Sequence, residues 1–402
     1  MVGVVIGLLA ILVIAQVALV YEGQKRSTTS GSDAQVNGAL AMQTLQRDVQ
    51  MSGYGPTSAL TTLGGSGCTI RAIFNGAAAA DAPGRLAPVV IDDGGDGGLP
   101  DTLRVLSSGN SNFSVPIALG ADHGPTDTYF TLKQGSPQGA GFGPGVNIGN
   151  SQGDLMLAVN DEPPNAPRCT LFSINVDGMV PTVRDPATGE ETEGAALGTV
   201  AAGTQLVEVA AAPTGTVSVG RRIGHTSDAR WNSATPLIPD TYKADFSYLV
   251  NLGQPANLIY RSYGVNANGL VLTTFDASTG AATSQDLYSG IVNLQAVYLK
   301  AKGNLNQQVD AWEPSNPASD ATLVDASSKS WPGWTRVYAV RIAVVARSQQ
   351  FEKSEVTAVQ PTWRPNGVDT VTLKVDGNAD WKHYRYKVYE TVVPLRNLLW
   401  QS

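Results

Sequence analysis

The chain has 402 residues, of which 42% are hydrophobic and 15% are charged, with a formal net charge of −7. This composition excludes a disordered acidic chain and a highly charged coiled coil, and it argues against a surface built throughout for nucleic acid. The 43 Gly and 23 Pro residues favour turn-rich β structure. At this length we expect two or three domains, or one elaborated domain.

The first predicted element is a transmembrane helix over residues 1–21, a segment with no charged side chain. At 1.5 Å per residue this helix is about 31 Å long, close to the ~30 Å hydrocarbon thickness of a bilayer. A signal peptide and a buried core helix are weaker alternatives, since the segment lacks a basic n-region and core helices seldom stay uncharged for so long. The residues predicted to pack against membrane or filament are Val4, Ile6, Leu8, Leu9, Ile11, Leu12, Ile14, Val17 and Leu19.

Residues 22–55 predict an amphipathic continuation of the same helix. Apolar residues recur there at three- and four-residue steps, and a Gly-Tyr-Gly-Pro sequence from Gly53 ends the pattern. We expect one face of this segment to pack on the domain that follows. The residues predicted to dock the helix onto a sheet are Val36, Leu40, Leu45 and Val49.

The region 56–402 is predicted to be one β-rich globular domain, because short alternating runs are separated by turn residues throughout. Segments at about 134–149 and 177–198 are expected to be loop insertions. The clearest strand is Val337–Arg347, in which apolar side chains alternate with Arg341 and Arg347. The predicted fold class is therefore α+β, with a long N-terminal helix on a mostly antiparallel β domain.

The two cysteines, Cys68 and Cys169, fit either one disulfide or two buried thiols, and an oxidising compartment favours the disulfide. Closing a loop of this size would stabilise the fold by up to about 4.7 kcal/mol in the chain-entropy model. The orientation conflicts with that preference, because Lys25 and Arg26 follow the apolar segment and no basic residue precedes it here. By the positive-inside rule alone, the domain would face the cytoplasm.

Metal, cofactor and catalytic signals are weak. Asp92, Asp93, Asp96 and Asp101 lie in a Gly-rich segment that could hold Ca²⁺, but it lacks EF-hand spacing and a solvated turn explains it better. The cysteine and histidine spacing argues against zinc. We find no nucleophile elbow and no phosphate loop between a strand and a helix, so we expect no cofactor and no enzyme activity.

The C-terminal region 336–396 has ten Lys or Arg residues against six Asp or Glu. Interleaved aromatic residues, Trp363, Trp381, Tyr384 and Tyr386, would allow a DNA-binding surface. An ordinary sheet face, with rings in the core and cations in water or against an acidic neighbour, is the favoured interpretation. We therefore do not expect nucleic acid as a partner.

Two stretches resemble a known family. Residues 45–55 (LQRDVQMSGYG), after an uncharged helix and shortly before Cys68, resemble type IV minor pilins of the PilW type. Residues 337–348 (VYAVRIAVVARS) and 391–397 (TVVPLRN) resemble the last strands of PilW and, less closely, of J-type secretion pseudopilins. The resemblance covers residues 1–68 and 336–398.

This resemblance implies a pilin-like fold stapled by Cys68–Cys169, and a minor pilin that helps initiate pilus assembly and sits at the filament tip. The implied partners are other minor pilins, the major pilin, a tip adhesin and the inner-membrane assembly platform. The implied location is the inner membrane of a Gram-negative bacterium with the globular domain in the periplasm, and then the cell-surface pilus tip. The alternatives are a type II secretion pseudopilin at the pseudopilus tip and a membrane-anchored periplasmic β-rich binding protein.

One part of the family pattern does not occur in this sequence. Type IV prepilins have a basic leader ending in Gly, then a Phe, and a Glu four residues beyond it. Residues 1–7 (MVGVVIG) resemble the stretch just after that Glu, so we expect further residues upstream of Met1. A basic leader would keep the N-terminus in the cytoplasm and send the domain to the periplasm, which resolves the orientation conflict.

Overall fold

The structure is a computed structural model. It describes residues 2–57, 65–95, 97–109, 116–133, 153–162, 168–174, 182–184, 191–193, 216–218, 222–225, 230–233, 236–301, 312–315, 323, 334–365, 367 and 369–399. Within these residues the fold is α+β, with few helices and mostly antiparallel sheets, as predicted.

The long helix α1 spans Val2–Met51 without a break. It ends where Gly53 adopts a φ of 82°, a left-handed conformation that suits glycine at a helix terminus. The side-chain amide of Asn397, in the short helix α2 (Arg396–Leu399), donates to the carbonyl of Ser52 at 2.7 Å. The C-terminal end of the chain therefore satisfies a carbonyl at the end of α1.

Four antiparallel strands form the sheet on which α1 packs, here called the helix-facing sheet. Its spatial order is β19-β18-β20-β23, and the strands are β18 (Ile291–Ala301), β19 (Trp312–Ser315), β20 (Val337–Arg347) and β23 (Tyr386–Pro394). Val340, Ile342 and Val344 of β20 face the core beneath α1. The other face, predicted to be polar, is also largely buried, because Ala343 and Val345 pack in a second cluster with Trp363.

A second sheet shares the core beneath α1. Its order is β17-β16-β15-β5-β4, and the strands are β4 (Val89–Asp92), β5 (Thr102–Ser108), β15 (Leu258–Asn266), β16 (Gly269–Asp276) and β17 (Ala281–Ser289). Leu103 and Tyr263 from this sheet lie in the same buried cluster as Leu45 of α1. The helix and the two sheets therefore form one hydrophobic core.

A third sheet is built mainly from the middle of the chain. Its order is β1-β9-β8-β14-β6, and the strands are β1 (Thr69–Arg71), β6 (Ile117–Ala118), β8 (Leu155–Asn160), β9 (Arg168–Ser173) and β14 (Ser247–Gly253). Among the described strand pairs of this sheet, β1–β9 is parallel and the others are antiparallel. All six residues of β8 are buried, because a separate apolar cluster packs on each face of the strand.

Short pairs complete the described strands: β2 (Ile73–Phe74) with β3 (Ala77–Ala78), β7 (Tyr129–Thr131) with β13 (Arg222–Gly224), β10 (Thr182–Arg184) with β11 (Glu191–Glu193) and β12 (Thr216–Ser218), and β21 (Thr362–Trp363) with β22 (Val371–Thr372). The predicted loop at 134–149 lies outside the described residues. The predicted loop at 177–198 contains β10 and β11, so it is not wholly irregular.

Candidate functional site: the long helix and its docking face

The face of α1 that docks on the sheets combines small and large apolar residues. The buried residues on this face are Ala34, Gly38, Ala41, Met42, Leu45 and Val49. A Cβ atom at Gly38 would lie 2.4 Å from Cε2 of Tyr389 and 3.1 Å from Cβ of Ala346. Because that space is already filled, only glycine lets the helix approach β20 and β23 this closely.

This arrangement corrects part of the predicted docking face. Leu45 and Val49 lie fully buried in the core, where they were expected. Val36 and Leu40 do not, since 53% and 40% of their surfaces are exposed. The helix turns its small residues toward the nearby strands, so these two larger side chains point away from the sheet.

Polar contacts fix the position of α1 along the sheets. The carboxylate of Asp48 accepts a hydrogen bond from the Arg261 guanidinium at 2.7 Å and another from the Tyr263 hydroxyl. Burial, and then this hydrogen bond, raise the pKa of Tyr263 above its ordinary value. The sequence analysis missed Asp48, because its partners on β15 are more than 200 residues away.

The N-terminal part of α1 has no sheet beneath it in the described part of the chain. All the predicted packing residues whose side chains the structure describes are exposed: Val4, Ile6, Leu8, Leu9, Ile11, Leu12, Ile14 and Val17. The surroundings of the Leu19 side chain lie outside what is described. No helix in the described ranges is long and apolar enough to cross a membrane, and the predicted transmembrane span is not confirmed.

The structure joins Cys68 and Cys169 in a disulfide, with Cα atoms 5.9 Å apart. Cys68 lies just before β1 and Cys169 lies in β9, so the bond reinforces the parallel pair of the third sheet. The bridge links chain positions 101 residues apart. The β-rich middle region is thereby cross-linked next to its buried core.

The described carboxylates of the acidic loop, Asp92, Asp93 and Asp101, each accept hydrogen bonds from protein groups. Asp92 forms an ion pair with Arg104, and Asp93 accepts from the amide of Gly95. Asp101 is buried, and burial raises its pKa to about 7 although its carboxylate also accepts backbone hydrogen bonds. Asp96 lies outside the described residues. The described part of the chain has no group of acidic, histidine or cysteine residues arranged to hold a metal ion.

In the basic C-terminal region, Trp363 is buried, whereas Trp381, Tyr384 and Tyr386 are half-buried. The indole nitrogen of Trp363 donates to Glu390, which also forms an ion pair with Arg341. Arg385 forms an ion pair with Glu352. These ion pairs neutralise part of the local positive charge.

Two histidines that are far apart in sequence meet beside the third sheet, next to the apolar cluster that contains Phe130 and Phe172. Nε2 of His123 lies 2.7 Å from Nε2 of His225, and the rings of Phe130 and Phe172 pack around them. Burial lowers the pKa of His123 to about 4 and that of His225 to about 3. One neutral imidazole therefore donates to the other. The sequence carried no signal for this pair, because 102 residues separate its members.

Comparison with known protein families places the C-terminal part of the chain. Residues 259–397 match the family model described as Type IV Pilus-assembly protein W, PilW. The match runs from β15 to α2 and includes the whole helix-facing sheet. It covers about a third of the chain. No curated protein matches the chain, and no solved structure matches it. The resemblance to the PilW type that the sequence predicted is therefore confirmed over residues 259–397, where the chain matches the pilus-assembly family.

Proposed function

We propose that this protein is a type IV pilus minor pilin that helps initiate pilus assembly and sits at the filament tip with other minor pilins and an adhesin. The observation that carries this proposal is the division of α1. Its C-terminal half docks on the PilW-type sheet, and its N-terminal half leaves a long row of apolar side chains uncovered. Such a row needs an apolar environment to be stable.

The proposed mechanism is packing rather than chemistry, and PilW is an assembly family rather than an enzyme family. Before assembly, residues 1–21 would contact the inner membrane. During assembly they would leave lipid for a bundle of like helices, where close packing replaces lipid contacts. The β domain would remain in the periplasm and later at the cell surface, where the Cys68–Cys169 disulfide is stable.

The first test is a charge placed on the exposed apolar helix. In cells lacking the gene, we would express wild-type protein, Ile11→Lys, or Val359→Lys as a control on an exposed β-branched residue of the β domain. Ile11→Lys should abolish complementation of surface filaments, while Val359→Lys should restore them, with equal protein levels by immunoblot. If the gene deletion or Ile11→Lys leaves the filament number unchanged, the proposal is wrong.

Two further measurements separate the remaining assignments. The mass and sequence of the native N-terminus would test prepilin processing, since a methylated Phe upstream of Met1 is expected. The amount of secreted protein in the medium of the deletion strain would test the type II secretion alternative. A loss of secretion with normal pili would favour a pseudopilin.

A further inference from the structure

Strand β17 forms an open edge of the second sheet. It pairs with β16 from Gly269 opposite Ser289 to Asp276 opposite Ala281. In the described part of the chain no strand pairs with its other side. An antiparallel edge strand directs part of its amides and carbonyls outward, so this edge presents a row of backbone groups that another strand can pair with.

Most side chains along β17 are also exposed to solvent. Residues 283–286 (Thr-Ser-Gln-Asp) are exposed one after another, although successive side chains of a strand point to opposite faces. A strand packed on one face would alternate between buried and exposed positions. Here neither face is covered, and only Leu287 and Tyr288 near the end of the strand pack against the core.

The edges of the two sheets that share the core beneath α1 are otherwise protected by known devices. On β4, the amide of Ile91 donates to the hydroxyl of Tyr298 at 2.8 Å. Strand β19 contains a proline, Pro314, which has no amide hydrogen to donate, and β23 carries charged residues such as Lys387. Charged side chains, proline and capping groups all discourage pairing with a foreign strand.

Strand β17 lacks these three devices. Its pairing with β16 has one register irregularity, between the Leu270–Tyr288 and Val271–Asp286 pairs, so the open edge is regular over residues 281–286. It has no Lys, Arg or Pro, and its one charged residue is Asp286. The Asp286 carboxylate accepts hydrogen bonds from Asn266 at 2.9 Å and Asn268 at 2.7 Å. These contacts hold the charge against the β15–β16 turn, so it does not guard the outer edge of β17.

The open edge lies beside the helix that carries the proposed filament contacts. The side-chain amide of Asn37 donates to the carbonyl of Ser289 at 3.1 Å, and Thr44 and Tyr288 share a hydrogen bond of 2.8 Å. The end of β17 is therefore fixed to α1. A subunit that packs beside α1 would bring its own β domain close to this edge.

We propose that β17 pairs with an extended strand from the β domain of another co-assembling pilin, so that the second sheet continues into the neighbouring subunit. This inference rests on the proposed function. Unpaired backbone groups are matched by an extended backbone, and the strand's polar side chains suit a partner strand with small or polar residues opposite them. A β domain as partner would also cover the bare faces at 283–286.

The decisive experiment is site-specific photo-crosslinking of the full-length protein in its native cells. A benzoylphenylalanine residue replaces Gln285 on the edge or, as a control, the exposed Gln254 outside any strand. We expect an adduct from position 285 that mass spectrometry maps to a strand of a second protein with a pilin-type N-terminal helix. No adduct above the control, or an adduct of this chain with itself, would overturn the proposed partner.

A matched pair of charge variants tests the energetic contribution of the edge. Gln285→Lys places a gatekeeper charge on β17, and Gln254→Lys makes the same change elsewhere. Copurification of the partner identified by crosslinking should fall about two- to five-fold for Gln285→Lys only, the effect of an unfavourable cross-strand pair. Equal recovery from both variants would refute pairing at this edge. Normal filaments after gene deletion would instead refute the proposed pilus function, whatever the adduct shows.

Discussion

The docking of α1 can be tested by truncating two leucines on opposite sides of the same helix. Leu45 is fully buried in the core between α1 and the two sheets, whereas Leu40 is 40% exposed. Leu45→Ala removes about three methylene equivalents from this core, and at ~0.8 kcal/mol each the transfer loss is about 2.4 kcal/mol. The remaining cavity adds to this, so we expect a total loss of about 2.5–5 kcal/mol.

Leu40→Ala is the matched control, because it makes the same chemical change on the same helix. Its side chain keeps much of its surface in water, and alanine is as good a helix former as leucine. We expect a loss of no more than about 1 kcal/mol. The two variants should therefore differ by at least about 1.5 kcal/mol in the free energy of unfolding.

The assay is urea unfolding of the full-length protein in detergent, with tryptophan fluorescence as the signal that monitors unfolding. Trp334 lies in the same buried cluster as Leu45 and reports on that core. Amide hydrogen exchange of β20 and β23 would show whether the loss is local to the helix-docking strands. If the two variants lose equal stability, or if Leu40→Ala is the more damaging, then the assigned docking face of α1 is wrong.

Three more predictions follow from the buried polar and covalent contacts. Asp48→Asn should lower the free energy of unfolding by about 1–2 kcal/mol, measured in urea, because it leaves a partly buried guanidinium without its anion; an unchanged midpoint would contradict this. Reducing the Cys68–Cys169 disulfide should cost about 2–4 kcal/mol in the same assay, with unreduced protein as the control. Burial lowers the folded-state pKa of His123 to about 4 and that of His225 to about 3, whereas the ordinary value for an unfolded ring is 6.5. The contribution of the two rings to stability is therefore present above about pH 6.5 and is lost on acidification through about pH 4 and then about pH 3. The pH dependence of the urea midpoint should be flatter in His225→Gln, and an equal slope would refute this assignment.

The sequence predicted those features of the fold that depend on local pattern. The strand at Val337–Arg347 and the end of the helix near Gly53 follow from side-chain alternation and from glycine and proline chemistry. The burial of both faces of β20 did not follow, because its second face is covered by Trp363, Leu373 and Val375, and the local pattern does not show that this segment folds back over the strand. Periodicity shows that one face is apolar but does not show what covers the other.

The same limit explains the partial success at the candidate site. Periodicity located the amphipathic half of α1. The large apolar residues that recur at three- and four-residue steps include Val36 and Leu40, so the pattern assigned both to the docking face. The structure uses Ala34 and Gly38 there instead, because the distance of closest approach is set by the opposing side chain of Tyr389. Pairs such as His123 with His225 were equally invisible, since only the tertiary fold brings them together.

The exposure of Val36 and Leu40 follows from the orientation of α1 on the sheets. Because Ala34, Gly38 and Leu45 are turned inward, Val36 and Leu40 remain on the outside. They lie on the same helix as the exposed apolar row between Val4 and Val17. Apolar surface that the fold leaves uncovered favours association with another apolar surface. The close packing of Gly38 and the exposure of Leu40 are thus two consequences of one helix orientation, which stabilises the domain through one face and leaves apolar side chains uncovered on the other.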